Sequence, residues 1–386
     1  MLGSPLGTRY VGEMDRLFDT YAALLPKLTD FFREQFPKDP NDSDFVYRQA
    51  IRAKAFDSLR GILPAASLSN VGIYGTGQAY EALLLRMRSH PLPEARTYAD
   101  LMLHELRKVI PSFLKRVDLD DRGVAWSTYL AANRSAMDEV AERLFPADGT
   151  VEESPLVTLT DFDPDAEIKM VAAMLYAHTN RPEAQVEAVV RAMSAQDRLE
   201  VVRAYVGERS NRRHRPGRAL ERIDYRFDVL ADYGAFRDLQ RHRMLTVEWQ
   251  QLSPRHGYVR PESIDLAGQR DEFDAAMERS AALHDLLEPR FPAQAPYAVA
   301  LAFKVRFVMQ MNAREAMHML ELRSGPQGHP SYREVAQDMH RQVAEVAGHH
   351  AVAEMMRYVD HSPEPSLERL DAERRAEARR SGGTSA

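Results

Sequence analysis

One stretch of this chain is written twice, and that limits its fold more than any single motif does. Shifted by the 237 residues that separate Arg86 from Arg323, Leu85-Arg86 falls on Leu322-Arg323, Pro93 on Pro330, Arg96 on Arg333 and Ala99 on Ala336. Upstream, Ala79 meets Ala316 and Leu83 meets Leu320, and the segment ending at Tyr74 falls on the one ending at Met311. Matches that keep both spacing and element order point to a duplicated strand–helix–turn–helix unit. The expected class is α+β: helix-rich, with two related repeats, each carrying a small antiparallel sheet and long helices packed on it. The polar stretch Pro146–Pro155 separates them. Residues 1–145 then form a partial, mostly helical first repeat and 156–360 the second. Residues 366–386 form a charged tail whose composition favours disorder.

Hydrophobic spacing fills in the elements. Apolar residues recur at helical intervals through 10–36, 44–62, 94–114 and 117–144, and again near 164–178, 182–193 and 196–207. Ser67–Tyr74 and Leu156–Leu159 are short and β-capable. In Glu221–Leu230, Ile223, Tyr225, Phe227 and Val229 alternate with Arg222, Asp224, Arg226 and Asp228, the period of a half-buried strand. A short helix, Ala231–Gln240, follows it and ends at Arg241-His242-Arg243. Lys304–Met311 alternates in the same way, and helices are expected over 262–288, 313–323 and 331–358.

Composition excludes several functions. With no Cys, the chain has no disulfides, thiolate-bound metals or cysteine nucleophiles. A net charge of −6 argues against nucleic acid or an anionic membrane as the main partner. No apolar run is long enough to span a bilayer, and Met1-Leu2-Gly3-Ser4-Pro5 lacks the layout of a signal peptide, so a cytoplasmic protein is expected.

Arg241 and Arg243 place two fixed charges beside an imidazole, a grip suited to phosphate or an electron-rich cofactor. The basic run Arg209–Arg218 could also take phosphate, but it lacks interleaved aromatics. Gly72-Ile73-Tyr74-Gly75-Thr76-Gly77 has the wrong spacing for a dinucleotide loop and reads as a tight turn. His349-His350, with Glu345 and Glu354, offers no third committed metal ligand, and no metal is expected. Met309, Met311, Met317 and Met319 read as core, and His90 as structural.

Three features together resemble the flavin-dependent thymidylate synthases. Glu221 opens the strand and Arg-His-Arg ends the helix after it; Asn312-Ala313-Arg314 precedes Leu322-Arg323; Pro330 and Arg333 begin the next helix. The resemblance covers roughly 156–358, with a weaker echo across 50–115. It implies FAD as cofactor and methylation of dUMP to dTMP with methylenetetrahydrofolate and NADPH. It also implies a homo-oligomer, a dimer if the repeats of one chain pair with each other. By the same resemblance Arg241, His242, Arg243, Asn312, Arg314 and His318 would hold the flavin. Arg241, Asp238, Ser253, Arg255 and Arg60 would hold the nucleotide, and Arg323 would act on the uracil.

The chain departs from the family's pattern at several of these places. Thr246 replaces a Ser, Glu248-Trp249 stands for Asn-Glu, and Gln251 replaces a second Ser. Ser253-Pro254-Arg255 comes two residues late, Asp238 replaces an amide and His318 an Asn. The arginine expected before Asn312 is absent, with Pro296 in its place, and Arg60 ahead of Leu63-Pro64 supplies the missing motif from the first repeat. First-repeat counterparts of the flavin contacts are Gly75, Gly77 and Glu81. The alternative reading is therefore a relative that binds flavin or nucleotide with altered or lost chemistry.

Overall fold

The structure is a computed structural model; it describes residues 1–145, 153–363, 367, 370, 373–375 and 377–379. Helices α1 (Pro5–Gln35) and α2 (Asp44–Leu59) lead to a 3-10 turn at Arg60–Ile62. Then come α3 (Gly77–Arg88), α4 (Pro93–Arg107), α5 (Pro111–Leu114) and α6 (Ala125–Leu144). The rest of the chain runs β1 (Val157–Phe162), α7 (Ala166–Tyr176), α8 (Glu183–Ala192), α9 (Ala195–Val206), β2 (Asp224–Asp232), α10 (Tyr233–Leu239) and β3 (Leu245–Trp249). After these follow α11 (Glu262–Leu266), α12 (Arg270–Leu287), β4 (Lys304–Asn312), α13 (Ala313–Arg323), α14 (Pro330–Glu345) and α15 (His350–Met355). No described helix is long and apolar enough to cross a membrane.

Two compact units divide these elements: 1–65 with 154–286 and 296–386, and 66–153 with 287–295. The first unit holds a four-stranded antiparallel sheet in the order β1-β2-β4-β3. Its inner face is the alternating set read from the sequence. Tyr225, Phe227 and Val229 of β2, and Val305, Phe307, Met309 and Met311 of β4, are all buried. The other face carries cross-strand polar pairs, Arg226 with Gln310 at 3.2 Å and Arg306 with Asp228 at 3.0 Å. Helix α14 is tied to the edge strand by Gln342, whose amide accepts from Leu159 N at 2.7 Å and donates to Val157 O at 2.8 Å.

Both long strands pass into helices through Asx caps. Asp232 accepts from Ala235 N at 2.9 Å, and Asn312 accepts from Glu315 N at 3.0 Å. Because β2 and β4 are antiparallel, these caps lie at opposite ends of the sheet. Helix α10 runs back over the sheet, with Phe236 packed on Phe307 at 4.8 Å between ring centres. It therefore delivers residues 241–243 to the Asn312 end, where Leu245 pairs with Met311.

The second unit is helical. Leu84, Ala99, Leu103, Leu114 and Val117 form its core, with Tyr80, Met102 and Ile110 packed against them. The helix-rich α+β class is thus observed, with one sheet among the described residues instead of one per repeat. Ser67–Tyr74 is not a strand: Leu68, Val71 and Tyr74 are exposed, so β-propensity there finds no partner to pack against. The expected helices 262–288 and 331–358 are each broken where a glycine takes positive φ, Gly268 at 66° and Gly348 at 69°. The helix expected to reach 114 ends at Arg107, and Pro111 starts a new turn. Most of the linker at Pro146–Pro155 and most of the 366–386 tail lie outside the described residues. Of the tail, Arg374 pairs with Asp42 at 2.6 Å and Glu377 accepts from Ser43 at 2.7 Å.

Candidate functional site

Asp238, in the last turn of α10, lies among three guanidiniums brought from distant parts of the sequence. Arg241 is at 3.4 Å, Arg60 at 3.7 Å and Arg323 at 3.8 Å from its carboxylate. Three positive charges around one negative leave an excess that favours a bound anion. The three differ in exposure. Arg241 is 69% exposed, whereas Arg323 is 13% exposed and sits 5.4 Å above the ring of Tyr332.

A second, buried network stands behind Arg323. Its Nε donates to His242 Nε2 at 3.1 Å. A guanidinium can only donate, so His242 Nε2 is an acceptor and the ring proton sits on Nδ1, which donates to Glu315 Oε1 at 2.8 Å. His318 lies 3.4 Å from the other oxygen of Glu315. Burial disfavours the Glu315 anion, but the His242 hydrogen bond and nearby His318 outweigh it and hold this carboxyl below the usual range. The ligand atoms of His242, Glu315 and His318 lie within 4.8 Å of one another, close enough for a metal. A metal on His242 Nδ1 would move the ring proton to Nε2, facing the Arg323 N–H donor-to-donor. The trio therefore serves as a support for Arg323 and does not fit a metal site.

Burial also pushes His318 below the ordinary imidazole value, with Arg215 adding to the effect and Glu315 opposing it. The same first cause lowers His90, His256, His340 and His349. Such groups take up protons more readily in the unfolded chain. The stability they contribute is whole above the ordinary value of 6.5 and is lost as pH falls below it. Buried Asp232, raised by its own burial, acts in the opposite sense. The thermal midpoint is expected to fall by several degrees between about pH 7.5 and about pH 5.5. A flat or rising midpoint in calorimetry would contradict this.

Arg60 is steered from behind. Its Nη2 is buried without a partner, as is Oδ2 of Asp232. Both residues line a cavity of about 20 Å³, room for one water. Gly234 makes the passage: a Cβ there would stand 2.9 Å from Asp232 Oδ1 and 3.4 Å from Arg60 Nη2. Gly234→Ala should therefore push the Asp232 carboxylate aside, disturb Arg60 through it and weaken anion binding several-fold. Titrating ligand alongside a urea melt separates that loss from unfolding.

The other expected site residues fall into two groups. Asn312, Arg314 and His318 lie near the cluster but are engaged by the protein. Asn312 caps α13, while Arg314 donates to Glu221 at 3.0 Å and to Pro216 O at 3.2 Å. Arg243 is exposed at the turn. Ser253 and Arg255 are placed elsewhere. Ser253 caps the turn at Pro254–His256, and the carbonyl of neighbouring Gly257 accepts from Lys304 N, at the far end of β4. That is seven residues, about 23 Å of strand, from Met311, so these two do not join the cluster within one chain. His349 bonds Tyr225 at 2.8 Å and Glu354 pairs with Arg203 at 2.8 Å, which disperses the group read around 345–354. Sequence reading missed Glu315 and Tyr332. For Glu315 the only signal was its place three residues after Asn312, where it reads as part of a helix start.

Comparison with known proteins gives one family and distant structural likenesses. The family described as thymidylate synthase complementing protein matches residues 4–112 and 156–349. A UPF0159 protein of Chlamydia pneumoniae is 36% identical over 378 residues, covering 98% of this chain and 70% of its own length. A UMP/dUMP methylase from Streptomyces cacaoi, solved with 5-bromo-dUMP, is 18% identical, with 53% of this chain and 97% of that one covered and a TM-score of 0.39. Thymidylate synthase X from Helicobacter pylori, solved with FAD and dUMP, is 15% identical, with 52% and 98% covered and a TM-score of 0.38.

Proposed function

We propose, from the premise that the chain belongs to the thymidylate synthase complementing protein family, that it is a flavin-dependent nucleotide methylase. In this reading it converts dUMP to dTMP in the cytoplasm with FAD, NADPH and methylenetetrahydrofolate. The observation that carries the proposal is the convergence of Arg60, Arg241 and Arg323 on Asp238. A guanidinium pre-positioned beside an N–H acid stabilises the conjugate anion, and an electron-rich uracil is what the reaction needs when no thiolate adds to the ring. Arg323 is the residue held for that task. Its Nε is fixed by His242, its guanidinium lies over Tyr332, and its charge is little screened by water. Arg60 and Arg241 supply further positive charge for the nucleotide's phosphate.

The fit to FAD is carried by the turn. Arg241 and Arg243 present guanidiniums to solvent and suit the cofactor's phosphates. His242 is not a flavin contact in this arrangement, because both its nitrogens are bonded within the protein. A bound flavin, reduced by NADPH, supplies the hydride that completes the methyl group.

A second reading is favoured by the same geometry. An acidic Asp238 among the guanidiniums, with Asn312 and Arg314 already engaged, suits a relative that binds nucleotide or flavin without turnover. Purified protein absorbing near about 450 nm and rescue of a thymidine-requiring strain are the expected results. Flavin uptake without rescue selects the second reading; colourless protein that takes up neither FAD nor dUMP overturns both.

A further inference from the structure

We infer that the site is completed in cis: Arg60 is delivered from the first repeat across an internal pseudo-two-fold axis that passes between residues 63–64 and 300–301. This rests on the reading of Arg60, Arg241 and Arg323 as one ligand site. The axis itself rests on separate observations.

Pro64 pairs with Ala300 in an isolated antiparallel bridge, and Leu301 N donates to Leu63 O at 2.9 Å. Under the 237-residue offset, Leu63 is equivalent to Ala300 and Pro64 to Leu301. The pair 64–300 is therefore the exchange of the pair 63–301. A contact in which residue i meets j and j meets i marks a two-fold interface between like units. The flanking bonds follow within one residue. Ala65 N donates to Val299 O at 2.8 Å and Ala302 N to Gly61 O at 2.9 Å. The approach is close enough that a Cβ on Gly61 would stand 2.9 Å from that of Ala302.

The helices after the bridge repeat as well. α3 and α13 are preceded by capping residues Thr76 and Asn312, and α4 and α14 both begin with a proline, Pro93 and Pro330. Two copies of one element thus pair head to head inside a single chain. The pairing sets Arg60, one residue before Gly61, against Asp238 of the second repeat. The exchange does not produce a second site. The counterpart of Arg60 is Tyr297, and the first repeat has no counterpart of the Arg-His-Arg turn, its first element being the long helix α1. One nucleotide per chain is expected, and no second copy is needed to bring Arg60.

Two experiments decide this. The chain has no Cys, so Pro64→Cys with Ala300→Cys introduces the only two thiols in each chain. Directly opposed residues in an antiparallel pair are within bridging distance. Oxidised protein is expected to run at monomer mass on a non-reducing gel, with the cross-link found within one chain by mass spectrometry. A cross-linked dimer overturns the inference, whatever the ligand proves to be. In the second experiment, Arg60→Ala and Arg323→Ala chains are co-expressed and dUMP binding is measured by equilibrium dialysis. In cis, every chain carries one defect and binding stays at the level of the single variants. Recovery of about a quarter of the sites, as statistical pairing of two-fold partners gives, overturns it. If wild-type protein binds no dUMP, the nucleotide reading falls and the cross-link alone decides the axis.

Discussion

Arg323→Ala is expected to cut dUMP turnover by a factor of about 10² to 10³, the usual effect of removing one pre-positioned donor from a developing anion. The size follows from the residue's setting. At 13% exposure its charge is poorly replaced by water, and its loss leaves Asp238 opposite two guanidiniums instead of three. It also leaves the buried His242 Nε2 without a donor, a further cost of desolvation. Flavin uptake, followed near about 450 nm, should change little, because Arg241 and Arg243 lie on the turn and not on α13. Arg323→Lys keeps the charge but loses the Nε bond to His242 and the guanidinium's position over Tyr332, so it should fall between wild type and Ala. Steady-state kinetics with parallel flavin titration tests this. Equal loss of flavin and turnover would remove Arg323 from the nucleotide's side of the site.

The largest expected effect on stability lies outside the site. Arg209 and Glu321 form a bidentate pair with both bonds at 2.6 Å, and their side chains are 2% and 1% exposed. Arg209 also donates to His214 O at 2.7 Å and to Met355 O at 3.0 Å, and it lies over the Tyr358 ring. The pair therefore fastens the basic loop and the chain after α15 to the last turn of α13. Removing one partner of a buried pair leaves an uncompensated charge, and Glu321→Ala should lower stability by about 3 to 5 kcal/mol. Replacing both, Arg209→Met with Glu321→Leu, should recover much of that, because it removes the desolvation cost along with the attraction. Urea melts of the single and double variants decide it. A single variant within about 1 kcal/mol of wild type would show that the pair is hydrated in solution.

What could be read in the sequence, and what could not, divides along the range of the interactions. β2 and β4 were legible because one face of each is buried, which writes a period of two into their residues. The meeting of Arg241, Arg323 and Arg60 was legible only through the order and spacing of family motifs, since no local pattern links position 60 to 241. β3 was missed although Leu245, Val247 and Trp249 alternate. Five residues on a sheet edge carry too little burial to stand out. Ser67–Tyr74 was over-read for the converse reason: strand-forming residues need a partner strand, and none lies beside them. Glu315 was hidden because a Glu three residues into a helix reads as a cap, and only the fold turns its carboxylate toward His242. Ser253 and Arg255 follow the Arg-His-Arg turn closely in sequence, but β3 carries them the length of the sheet.

The most direct test is a crystal structure of the flavin-loaded protein soaked with dUMP. The uracil is expected within hydrogen-bond reach of Arg323 and the phosphate against guanidiniums that include Arg60 of the same chain. Nucleotide density well away from Asp238, with the three arginines still closed upon it, would contradict the account.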